Sequence, residues 1–140
     1  MAPKKKRQRK AKDKSKGAKK APRLTAKTAD RHCLYENSVQ AVDAEIDFVD
    51  DTFTTLRGRQ AKFLREDFCG TGNTSCEWVS RRADNYAIGV DLDEDVMNSG
   101  RERHLVRLSD SQQERVALVH ADVMTVDTPS QDIVLAMNFS

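Results

Sequence analysis

Nowhere does this sequence offer an apolar run near the ~18–20 residues that a bilayer-crossing helix needs. Its first residues also lack the apolar core of a secretory signal. Three cysteines, Cys33, Cys69 and Cys76, are odd in number and have no metal-ligand spacing. A disulfide framework and a structural zinc site are therefore not signalled, and free thiols in a reducing compartment are expected. The three histidines, His32, His104 and His120, show no ligand spacing either and read as structural residues. With 140 residues the chain has room for one domain and too little for two. A cytoplasmic protein is the expectation.

What the sequence does have is charge, unevenly distributed. Residues 1–31 hold 14 Lys/Arg against 2 acidic residues, and residues 32–140 hold 10 against 20. The net +2 thus hides a basic arm on an acidic body. The arm has almost no large apolar side chain, so burial cannot offset its ordering entropy and residues 1–29 are expected to be disordered. "PKKKRQRK" suits nuclear import in a eukaryote, or nonspecific contact with a nucleic-acid backbone through residues 1–31. No aromatic is interleaved with these charges, so base stacking is not signalled. A solvated tail is the competing assignment.

From Asp30 onward the pattern is that of a folded domain. Val39, Val42, Ile46, Val49, Phe53 and Leu56 recur at steps of three and four, one stripe of a helix that Gly58 is placed to stop. Four short apolar runs follow: "AKFLRED", "YAIGVD", "RVALVHAD" and "DIVLAMN". Helical patterns separate the first three, over "NTSCEWVSRRAD" and "EDVMNSGRERHLVRL", with Arg101, Arg103 and Arg107 as a solvated face. This rhythm predicts βαβ units and a parallel α/β sheet. Right-handed crossovers bring the carboxyl ends of all four strands to one edge, where open α/β sheets bind ligands. Glu66, Asp67, Asp91, Asp122 and Asn138 gather there.

The loop "EDFCGTG" poses the electrostatic question. A nicotinamide dinucleotide wants a third glycine where Ser75 stands, and its pyrophosphate would lie beside Glu66 and Asp67. S-Adenosylmethionine has no phosphate and carries an ammonium and a sulfonium, so flanking carboxylates would attract it. Glycines keep the space beside the loop open. Asp91 and Asp122 have a plainer alternative as helix or turn caps. Cys69 reads as a small loop residue or as a thiol at a helix start, and Cys76 and Trp78 read as packing residues.

"EDFCGTG", then "GVD", then "HAD", in this order, resemble the motifs of class I (Rossmann-like) S-adenosylmethionine-dependent methyltransferases. "DRHCLYENSVQAVDAEIDFV" and "DIVLAMNFS" are similar to a particular branch of that superfamily, so the resemblance spans residues 30–140. It implies a three-layer αβα sheet and a cofactor, S-adenosylmethionine. Carried over by position, Glu66 is the acid of the first motif, with Asp67, Cys69, Gly70, Thr71 and Gly72 around its loop. Asp91, followed by Leu92, is placed to take both ribose hydroxyls, a bidentate charge-assisted contact. Asp122 and Val123 fall beside adenine, Tyr35 over the cofactor, and Asn138 beside the methyl acceptor.

Three departures matter, the first being Asp67, a carboxylate where the family commonly has an apolar residue. Phe68 replaces the first glycine of the loop, so the loop's opening differs or the ring tucks into the core. The chain also stops at Ser140, directly after the fourth strand-like run, where the family continues through further strands and helices. The expectation is the N-terminal part of a truncated methyltransferase domain, binding cofactor poorly and not turning over substrate alone. The expected function is methyl transfer to an unidentified acceptor. The alternative is a non-catalytic, degenerate module of the same fold, tethered to nucleic acid by its arm.

Overall fold

A computed structural model describes residues 41–137. The expected disordered tail, Tyr35 and Asn138 lie outside the described residues. Helix α1 spans Val42–Arg57 and stops where Gly58 adopts φ 68° and gives its N–H to Thr54 O. Strand β1 (Phe63–Asp67), α2 (Asn73–Arg81), β2 (Tyr86–Asp91), α3 (Glu94–Arg103), a single turn α4 (Asp110–Gln113), β3 (Val116–His120) and β4 (Ile133–Leu135) follow. The four strands are parallel in the order β3-β2-β1-β4, a Rossmann-like α/β sheet. The pattern from Glu94 to Leu108 breaks after Arg103, and Leu105–Arg107 continues only as a 3₁₀ turn.

Strand parity explains where the core lies. Leu64, Ala87 and Leu135 share one sheet face, and with Ile46, Trp78 and Val79 they form a buried cluster that Val42, Val49 and Phe53 extend. Leu56, the last residue of the predicted stripe, is 76% exposed and does not join it. The opposite parity, Phe63, Tyr86 and Val134, is 43%, 45% and 59% exposed. The acids beside the α1 stripe face the end of α2: Arg81 meets the exposed Asp43 and Asp47, and Arg82, the residue after the helix, meets Asp50 while lying over the Trp78 ring. At the far end of α2, Arg115 Nη1 donates to the carbonyls of Val79, Arg82 and Asn85. One guanidinium thereby closes the turn into β2 and meets the negative end of the helix. No helix among the described residues is long and apolar enough to cross a membrane.

The three-residue strand β4 needs anchorage beyond its ladder. Asp132 supplies it, accepting from Lys62 N at 2.7 Å, Phe63 N at 3.1 Å and Arg59 Nη2 at 2.7 Å. The Arg59 hydrogen bond, ahead of the two backbone donors, holds the Asp132 carboxyl down to about 2. A depressed acid stabilises above its unfolded value, and that contribution is lost as pH falls through the folded one. Arg59 is largely solvated, so solvent screening weakens the pair. Asp132→Asn is expected to cost about 1–2 kcal/mol at neutral pH and to shrink the stability loss below pH 3.8. Urea denaturation at pH 7 and pH 3 measures both.

Candidate functional site

The glycine loop, residues 68–72, leaves β1 and starts α2. Helix α2 has Gly72 at its N-cap and therefore no capping side chain of its own. The acceptor comes from β1: Glu66 Oε2 takes Ser75 N at 3.1 Å and Ser75 Oγ at 2.7 Å. A carboxylate at a helix start is well placed against the dipole, but Glu66 is only 3% exposed. Burial, partly opposed by the Ser75 bonds, pushes its carboxyl up to about 7. Asp67 points to the other sheet face, where Arg65 Nε binds it at 2.6 Å. The expectation that these two acids form a charged rim beside the ligand is therefore corrected. One carboxyl is committed inside the fold, and the other is already neutralised.

The loop glycines share one backbone region. Gly70 and Gly72 have φ of 56° and 71°, the left-handed region. At Gly72 a Cβ would lie 2.6 Å from Leu118 Cδ2, so the missing side chain makes room for β3 packing. Thr71, 6% exposed, is pressed against α3 at Gly100. Cys69 is buried, and a Cβ on Gly89 would meet its sulfur at 2.9 Å. Burial pushes its thiol well above the ordinary range. Burial of the sulfur favours the reading of Cys69 as a small loop residue over that of a reactive thiol. Cys76 and Trp78 are core residues, as expected.

Asp91 stands at the carboxyl end of β2 and connects two segments. Its Oδ2 accepts from Gly70 N at 2.8 Å, and its Oδ1 from Asp93 N at 2.9 Å. It is not the cap of α3; Asp93 is, accepting from Val96 N. Asp91 also lines an open cleft of about 570 Å³ with Leu92, Asp93, Glu94, Asp95 and His120. Four carboxylates and no Lys or Arg line it. An anionic rim thus exists, set one strand further along than the loop. His120 is the register partner of Asp91, and its Nε2 lies 2.9 Å from Leu92 O.

Asp122 has the plainer role on the page: its Oδ1 accepts from Met124 N at 2.9 Å, closing the turn after β3. Val123 O accepts from Arg65 Nη2 at 2.8 Å, and Arg65 Nη1 donates to Thr128 Oγ1. Arg65 therefore fastens the β3–β4 connection onto the sheet, a role that the strand-like sequence around it concealed. Arg101 is not a solvated face either, since its Nη2 reaches Leu118 O. Reading from sequence also passed over Asp93, Glu94, Asp95 and His120 as cleft residues. The signal was present in "DLDED", which was absorbed into a helix start.

No protein-family model and no curated protein matches this sequence. Solved structures do. The plantazolicin methyltransferase BamL, in complex with a triazolic desmethylPZN analog and SAH, superposes with a TM-score of 0.58 at 16% identity, over 74% of this chain and 36% of that one. Its counterpart BpumL gives 0.59 at 11% identity, over 74% and 38%. CalS10, a SAM-bound amino pentose methyltransferase from Micromonospora echinaspora, gives 0.54 at 21% identity, over 73% and 39%. The chain spans less than two-fifths of the length of each. The fold is that of a class I methyltransferase.

Proposed function

We propose that this chain carries the S-adenosylmethionine-binding part of a methyltransferase acting on an unidentified acceptor. The observation that carries the reading is Asp91, a carboxylate that accepts from the Gly70 amide and lines a cleft whose charged groups are acids alone, apart from His120. A diphosphate ligand would meet repulsion there, whereas an adenosyl sulfonium would not. The ligand fits the donor set: each Asp91 oxygen keeps a further acceptor position, which suits a ribose diol. When bound, S-adenosylmethionine supplies the electrophilic methyl group. The chain's own work is to orient the nucleoside through Asp91 and to hold the loop. The same reading assigns Tyr35 to cover the cofactor and Asn138 to the acceptor's side, and leaves residues 1–31 for nucleic-acid contact.

Calorimetric titration tests the reading. S-Adenosylmethionine is expected to bind and NAD not to, and Asp91→Ala is expected to weaken binding at least about tenfold, the loss of a hydrogen bond to a charged group. Binding of NAD, or an unchanged affinity in the variant, refutes it. A folded chain that takes neither ligand points to the second reading, a non-catalytic module of this fold, which the density of positive charge in residues 1–31 favours.

A further inference from the structure

Among the described residues, the acidic cleft is lined by one group able to gain positive charge. His120 ends β3 beside Asp91, its register partner on β2, and lines the cleft with Asp91, Leu92, Asp93, Glu94 and Asp95. Its Nε2 lies 2.9 Å from Leu92 O. A carbonyl only accepts, so Nε2 carries the hydrogen and donates, which leaves Nδ1 of the neutral ring as a lone pair. That lone pair stands 4.0 Å from Glu94 Oε2, a carboxylate with no hydrogen to give it. The connection between β2 and α3 is only Leu92 and Asp93. Asp91 O accepts from Ala121 N at 3.0 Å on one side of it, and Asp93 Oδ1 accepts from Val96 N on the other. The His120 bond holds the carbonyl between them.

Protonation puts a hydrogen on Nδ1, facing Glu94, and a positive charge among four carboxylates. No Lys or Arg of the lining masks that change. Arg101 of α3 turns back to Asn98 Oδ1 and Leu118 O, and Asp122, beyond β3, accepts from Met124 N. Resting on the function proposed above, we infer that His120 is a positioning residue that holds Leu92 beside the ribose-binding acid, and that its charge sets how strongly the cleft attracts a cationic ligand. The neutral ring leaves the attraction of Asp91, Asp93, Glu94 and Asp95 whole. The charged ring pairs with Glu94 and repels a sulfonium or an ammonium. His120 and Glu94 are both well solvated, so one added charge changes affinity severalfold and not by orders of magnitude.

The test titrates the full chain at about pH 8 and about pH 5.5, the span over which an imidazole changes charge. S-Adenosylmethionine carries the ammonium and sulfonium, whereas methylthioadenosine keeps the nucleoside and sulfur without either charge. His120→Ala is expected to weaken both ligands by about two- to tenfold at the higher pH, the loss of one hydrogen bond. His120→Gln keeps a donor near the Nε2 position without a charge to gain, and is expected to recover most of that loss. On acidification the wild type is expected to lose about two- to fivefold more S-adenosylmethionine affinity than His120→Gln. Glu66 titrates in both chains and cancels in the comparison. Methylthioadenosine should show no such difference. Parallel pH dependences in the two chains overturn the inference, as does an equal extra loss for both ligands, which would mean shape and not charge. A His120→Ala chain that binds as the wild type does overturns it too. If the wild type binds neither ligand, the proposed function fails first and this inference goes with it; binding without any difference between the chains sinks this inference alone.

Discussion

Gly100→Ala is expected to destabilise the chain by about 3 kcal/mol, the upper end for overpacking. A Cβ at this position in α3 would lie 1.9 Å from Thr71 O, 2.5 Å from Thr71 C and 2.7 Å from Thr71 Cα. All three are backbone atoms, so no rotamer change relieves the collision. Thr71 cannot retreat easily, because Gly70 N is held by Asp91 and Cys69 N by Val90 O. Moving α3 outward instead would open space around Met97, which is fully buried. Thermal denaturation followed by circular dichroism should show a midpoint lower by roughly 10–20 °C. A change equivalent to less than about 1 kcal/mol would mean that the helix and the loop are not in contact as described.

The second large effect belongs to Glu66 and to pH. Its carboxyl is lifted from the ordinary 4.5 to about 7, mainly by burial, with Glu45 of α1 adding repulsion and the Ser75 bonds opposing. The Cys69 and Cys76 thiols packed nearby are pushed up, Cys76 to about 12, and stay neutral throughout. An acid whose folded value exceeds its unfolded one binds a proton more tightly in the native state. Stability is therefore greatest below the unfolded value and falls as pH rises to about 7. The lift corresponds to about 3 kcal/mol. Glu66→Gln keeps an acceptor for Ser75 without the charge, so it should flatten the curve between pH 4.5 and 7.5 and exceed the wild type at pH 8 by about 2–3 kcal/mol. Urea denaturation across that range reads the effect, and parallel curves would refute it. Asp132, with its value near 2, titrates outside this window.

The pattern of these residues shows what a sequence carries plainly. Apolar periodicity and the acid at each strand end placed β1, β2, β3, α1 and α2, because a parity of two or a stripe of three and four is written in neighbouring residues. Gly58 as a stop and Asp91 at the end of β2 were legible for the same local reason. The direction of a charge was not. Glu66 and Asp67 are adjacent in sequence, yet pleating sends them to opposite faces, one to Ser75 and one to Arg65. Whether a glycine spares space for a ligand or for Leu118 is likewise settled by a strand 46 positions away from Gly72 in the chain. Partners at that range leave no mark in a local window. Phe68 marks the limit from the other side: a replaced glycine reads as a changed loop, whereas the backbone keeps the glycine's conformation and the side chain bears the consequence.

The guanidinium of Arg115 has a temporal meaning as well. The three carbonyls it gathers lie 36, 33 and 30 positions earlier in the chain. During synthesis the corner between α2 and β2 stays unfinished until that later residue emerges. The first β-α-β unit is thus completed by a residue beyond it, so nascent chains halted before Arg115 lack the bolt that locks what they have already made.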